Sequence, residues 1–153
     1  MPFRITSTTP DPAVAIVRLM LGVVFFPHGA QKMLGAFGGG GFFATMRTFE
    51  TGMHIPAVFA FLAIAAEFFG SIGLIVGFLS RIAAFGIFVE MTVAILKVHI
   101  HNGFFMNWTG MQPGEGIEFH LLVLAIAAAV MIKGSGALSV DEFLNRQSAY
   151  LRY

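Results

Sequence analysis

From Pro56 to Val98 the chain is almost continuously apolar, and its only charged residues in that stretch are Glu67, Arg81, Glu90 and Lys97. No other feature restricts the fold so strongly. A helix crosses the ~30 Å hydrocarbon layer with about 20 apolar residues, and backbone inside lipid must satisfy its own hydrogen bonds. The reading is an all-α, four-helix transmembrane bundle in one domain, residues 1–153. Its spans are expected at about 13–33, 56–79, 81–99 and 117–133, the last of them short, with a tail at 134–153. Asp11-Pro12 suits the first turn of the first helix. The polar start "MPFRITSTTPDP" reads as a short tail before a retained span, because no small-residue cleavage pattern follows.

Composition supports lipid as the solvent. Hydrophobic residues make up 57% and charged residues 11%, with a mean hydropathy of +0.82; a soluble domain carries about 45–50% apolar and about 25% charged residues. The chain has 18 phenylalanines and no cysteine. Disulfides, iron–sulfur clusters and c-type haem attachment are thereby excluded, and no haem or flavin motif is evident. A net charge of +1 without a basic tract gives no footing for nucleic acid.

Between the first two spans, "LGAFGGGGFFATMRTFETGMHIP" begins with a glycine hinge. Phe42, Phe43, Met46 and Phe49 then recur at helical spacing opposite Arg47 and Glu50, which suggests a short amphipathic helix at the membrane interface. A loop helix packed on the bundle fits as well. A second loop, residues 102–116, offers Trp108 as an interfacial anchor. Arg4, Arg81, Lys133, Arg146 and Arg152 collect on the tails and the short turn, whereas Lys32, Arg47 and Lys97 flank the long loops. By the positive-inside rule both termini face the cytoplasm of a bacterial or archaeal plasma membrane.

Ionisable residues inside spans cost at least ~2.5–3.5 kcal/mol each on insertion scales, so each is a functional candidate. On the ~1.5 Å helical rise, Arg18, Glu67 and Glu90 are expected to share a central layer, as a buried ion pair or proton path. Arg18 with Glu67 is the preferred pair, leaving Glu90 without an evident cation. A structural ion pair that only fixes helix register is an equal alternative.

A second polar layer is expected at the outer end: His28, Gln31 and Lys32, then Lys97, His99 and His101, then Glu118 and His120. The pair in "VHIHNGFF" invites a metal. At about 100° per residue, however, His101 shares a stripe with Glu90 and Lys97 while His99 points nearly opposite. Chelation from one helix requires i,i+3 or i,i+4 spacing, so no metal site is expected.

The stretches "RLMLGVVFFPHGAQKMLG", "AEFFGSIGLIVGFLSRIAA" and "VHIHNGFF", with Glu118 and the tail "KGSGALSVDEFL", resemble the DoxX family of small membrane proteins over about residues 13–144. The resemblance implies a four-helix transmembrane bundle associated with redox enzymes, including quinone-coupled ones. It carries the family's recurring polar positions to Arg18, His28, Lys32, Glu67, His99 and Glu118.

The expected function is a membrane subunit of a redox system, binding quinone or quinol between helices near the outer face. Glu118 and His99 would carry the proton chemistry. His28 and Lys32 would donate to the carbonyls, and Phe25, Phe26, Phe104 and Phe105 would wall the ring. Histidine suits such a role because its unperturbed pKa of about 6.5 lets it give and accept protons near neutrality. The implied partners are the lipid bilayer and a redox enzyme or a second copy of the chain. The alternatives are a non-catalytic membrane anchor or scaffold for a peripheral oxidoreductase, and a small proton or solute conduit.

Overall fold

Among residues 5–150, which the computed structural model describes, the chain forms six α-helices and no strand. Arg4 and Arg152, two cations counted for orientation, lie outside the described residues. The helices are α1 (Pro12–Leu34), α2 (Gly41–Arg47), α3 (Ala57–Val76), α4 (Ser80–Ala94), α5 (Glu118–Lys133) and α6 (Val140–Tyr150). A π turn (Ile95–His99) and a 3-10 turn (Ile100–Asn102) prolong α4, so this helical rod runs from Ser80 to Asn102. Three elements are long and apolar enough to cross a membrane: α1, α3 and the α4 rod. The 16 residues of α5 fall short of that length.

The helix starts follow from local chemistry. Asp11 caps α1 by accepting from the backbone N–H groups of Ala13 (2.8 Å) and Val14 (3.4 Å), with Pro12 in the first turn. The helix α6 falls where only a tail was expected. Its start was nonetheless encoded in Ser139-x-x-Glu142: Ser139 Oγ accepts from the Glu142 N–H at 3.1 Å, and the Glu142 carboxylate accepts from the Leu138 N–H at 3.0 Å.

Helix α1 packs along α3 and against α5, and α4 packs against both α3 and α5. Leu21, Phe25, Leu74, Ala84, Ile87, Met91, Val123, Ala127 and Val130 form the core. Phe59, Leu62 and Phe69 of α3, Phe85 of α4 and Leu122 of α5 lie exposed on the outside. Exposed apolar surface on this scale needs a lipid solvent, not water, and the molecule is a membrane protein. Glycines set the α1–α3 distance. A Cβ on Gly29 would lie 2.6 Å from Phe68 Cα, and one on Gly22 would lie 2.8 Å from the Ser71 carbonyl, so the backbones meet only because these side chains are absent.

One end of the bundle is tied by two buried groups. The Arg18 guanidinium donates to the carbonyls of Leu74, Ile75 (2.9 Å) and Ser135 (2.7 Å), satisfying the end of α3 and the turn after α5. The Asp141 carboxylate accepts from the N–H groups of Leu79 (3.0 Å) and Ser80 (3.3 Å) and from the Ser135 hydroxyl. It therefore caps α4 from α6. Gly77, in the left-handed region at φ 73°, lets this corner close, since a Cβ there would stand 2.3 Å from that of Ser139. The expected pairing of Arg18 with Glu67 is thus corrected. Helices α1 and α3 are antiparallel, so Arg18 faces Leu74 and Ile75, while Glu67 lies about two turns away beside Gly29.

Gly29→Ala is expected to cost about 1–3 kcal/mol, because the added methyl must push α1 off the α3 backbone. Unfolding of the purified protein in detergent, compared with Ala30→Gly as a control on the same turn, measures it.

Candidate functional site

The centre of the bundle holds three ionisable side chains from three helices. Lys32 Nζ of α1 lies 2.5 Å from Glu67 Oε2 of α3 and 3.1 Å from Glu90 Oε1 of α4. The Glu67 side chain is 3% exposed, that of Glu90 10% and that of Lys32 26%. Glu67 and Glu90 do share a height, as the helical rise indicated. Their cation is Lys32, which the sequence reading had assigned to the outer layer, and Glu90 does not lack one.

The misplacement has a geometric cause. The end of α1 does not mark the surface. Helix α1 stops at the left-handed Gly35 while α3 continues ten residues beyond Glu67 to Ala57, roughly 15 Å at ~1.5 Å per residue. The segment containing α2 occupies the remaining height. Phe42 meets Phe61 of α3 edge-on, with ring centroids 6.3 Å apart, and Thr45 Oγ1 donates to the Lys32 carbonyl at 3.4 Å. The Phe49 ring, on a π turn (Thr48–Gly52), lies 5.8 Å from Lys32 Nζ, within cation–π range. Phe43, expected on the same apolar face, points away and is 86% exposed.

The end of the bundle where the α4 rod meets the start of α5 holds a second cluster. The π turn rotates His99 against α5, where its ring lies 4.1 Å from that of His120. His99 Nδ1 is 2.8 Å from the Glu115 carbonyl. His120 is buried, and its Nδ1 has no hydrogen-bond partner. This makes His120 the functional candidate that the selection of site residues passed over, although its place near the start of the last span had put it in the outer layer. His101 is exposed, as is Lys97.

The loop between α4 and α5 folds back on Glu118. Its Oε1 accepts from the Met106 N–H at 2.8 Å and its own N–H donates to the Phe104 carbonyl at 2.9 Å. A groove of about 520 Å³ opens there, lined by Phe104, Met106, Trp108, Glu118, Phe119 and Leu122 among others. Phe105 meets Phe104 edge-on at 5.2 Å and is exposed. The remaining expected residues lie elsewhere. Phe25 is buried in the core, and His28 is exposed on α1 with its ring 6.1 Å from that of Phe25. Phe26 stacks on Phe68 at 6.1 Å. The structure therefore gathers two groups, the Lys32 trio in the centre and the His99, His120 and Glu118 region above it.

Lys32→Met removes the cation shared by two buried carboxyl groups and is expected to destabilise the fold by about 3–5 kcal/mol. The triple variant Lys32→Met, Glu67→Gln, Glu90→Gln should recover most of that loss, and unfolding in detergent distinguishes the two.

The DoxX family model matches residues 13–100, a segment that contains the whole trio and His99. A Bacillus subtilis (strain 168) protein named "Putative oxidoreductase CatD" is 26% identical over 129 residues, covering 84% of each chain. An Escherichia coli (strain K12) protein named "Inner membrane protein YqjF" is 26% identical over 139 residues, or 90% of this chain and 95% of that one. No solved structure matches the chain significantly.

Proposed function

The chain belongs to the DoxX family, and from that premise we propose that it is a membrane subunit of a redox system that takes a quinone or quinol at the outer end of its bundle. In this reading α5 is the fourth span, lying close to straight through the bilayer. The segment around α2 lies at the outer interface, and both termini face the cytoplasm. Arg81, Lys133 and Arg146 of the cytoplasmic end are the supporting cations. The redox assignment takes support from the name of the CatD relative.

The observation that carries the reading is the groove beside Glu118. A slot of about 520 Å³ with phenylalanine, tryptophan and leucine walls and one carboxylate suits a flat apolar ring that must exchange protons. The Phe104 and Phe119 rings wall the headgroup, with Phe105 at the rim. Glu118 keeps Oε1 on the Met106 N–H, and its other oxygen accepts a hydroxyl proton from the quinol. The His99–His120 pair stands behind Phe119, whose ring centroid is 5.7 Å from that of His120, and relays that proton. His28, Lys32 and Phe25 take no part in the slot. With no cysteine the chain offers no thiolate ligand for a redox centre, and in this reading the electrons come from a partner enzyme or pass directly between bound substrates.

Binding of a menaquinone analogue to the full chain in lipid nanodiscs tests this. Leu122→Trp, which fills the groove, is expected to weaken binding at least tenfold, about 1.4 kcal/mol, and Glu118→Gln to weaken it severalfold. Wild-type affinity in both variants would overturn the assignment.

A further inference from the structure

The central trio sets one ammonium against two carboxyl groups. We propose that it is a proton-binding site in its own right, in which Glu90 Oε2 holds one exchangeable proton beside Glu67 and takes it up from the Lys32 side. The reaction is a simple protonation of a carboxylate by an aqueous proton and needs no redox partner.

Three observations support this. First, the trio carries a formal excess of one negative charge when both glutamates are ionised, in a place where an uncompensated charge is expensive; one proton brings it to neutrality. Second, Glu90 Oε2 is buried without a hydrogen-bond partner, and Glu67 Oε2 has only its ion contact with Lys32. Both carboxyl groups are drawn to the same Lys32 ammonium, at 2.5 Å and 3.1 Å. An ionised carboxylate only accepts hydrogen bonds, and a proton on Glu90 Oε2 turns that oxygen into a donor. Third, Glu67 makes the closer ion contact, at 2.5 Å, while Lys32 donates its hydrogen bond to Glu90 Oε1 and leaves Glu90 Oε2 as the open position. Glu67 is therefore the standing anion of Lys32, and Glu90 is the group that changes state.

Among the described residues the surrounding elements bring no further buried charge to the trio; His28, one turn from Lys32 on α1, and His54, just before α3, are exposed. The buried residues of α5 below His120 are Val123, Ala127 and Val130. His120 stands against His99, nine residues along the α4 rod from Glu90 and roughly 14 Å away at ~1.5 Å per residue. Arg18 faces the opposite end of α3, and Phe49 covers Lys32 from the segment after α2, whose Arg47 and Glu50 are exposed. The nearby hydroxyls are committed to their own helices: Ser71 Oγ donates to the Phe68 carbonyl and Thr92 Oγ1 to that of Phe88, each at 2.8 Å. A metal cation requires several oxygen ligands, and here an ammonium already occupies the space between the two carboxyl groups. Lys32 is the least enclosed of the three, so its side, beneath Phe49, is the route of entry.

Infrared difference spectroscopy of the full chain in lipid nanodiscs tests the proposal. At neutral pH the wild type should show the carbonyl stretch of a protonated carboxyl group, shifted in D₂O, that disappears in Glu90→Gln and persists in Glu118→Gln. No such band in the wild type, or a band that survives Glu90→Gln, would overturn it. Thermal unfolding provides a second reading. The amide mimics the neutral acid, so Glu90→Gln should keep the wild-type Tm at neutral pH, whereas Glu67→Gln should lower it. A loss of Tm in Glu90→Gln as large as in Glu67→Gln would identify Glu90 as a permanent anion and sink the proposal. The result is independent of the quinone reading, which Glu118→Gln and Leu122→Trp address separately.

Discussion

One ammonium group holds the centre of this bundle together. Lys32 reaches from α1 to both Glu67 on α3 and Glu90 on α4, and an ionised carboxylate at this depth could not stay buried without it. That demand governs the geometry around it. Helix α1 must run close enough to α3 for a lysine side chain to reach, which is why Gly29 stands against the Glu67–Phe68 backbone. It must also end early, at Gly35, so that Lys32 meets the carboxyls at mid-height. The segment carrying α2 and Phe49 then closes the space left above it.

The two ends of the molecule are built differently. At the end where the short α3–α4 turn, the N-terminal segment and α6 meet, every buried charge has dedicated backbone partners. Arg18 satisfies helix-end carbonyls, and Asp141 caps α4 from another element. Such fully satisfied groups serve rigidity. In the centre and toward the other end the groups are under-satisfied: Glu90 Oε2 and His120 Nδ1 lack hydrogen-bond partners, and an apolar groove stands open beside Glu118. This asymmetry is what the proposed proton and ligand chemistry draws on.

The family resemblance and the all-helical class were both accessible from the residues alone. The four apolar runs lie within a few residues of α1, α3, the α4 rod and α5, and the first three of these elements reach the length that a bilayer requires. The α6 helix was announced by Ser139-x-x-Glu142, a local signal that a reading focused on apolar runs passed over. Glu67 and Glu90 were placed at one height correctly, since each sits in a helix that spans the full depth. Lys32 was not: the end of α1 is legible in the glycines that follow it, but nothing local reveals that this end lies below the level where α3 begins.

What the sequence alone determined is the lipid solvent, the helical class, the family and the burial of Arg18, Glu67 and Glu90, all of which follow from hydropathy and local chemistry; the buried Asp141 and the central place of Lys32 were not among them. Only the tertiary structure decided which charge meets which. Helical periodicity gives a residue's angle on its own helix, while pairing depends on the vertical offset between helices. That offset is set by glycine contacts and by where α1 ends. The same offset turns Arg18 from an ion-pair partner into a helix cap and Lys32 from a surface cation into the centre of the bundle.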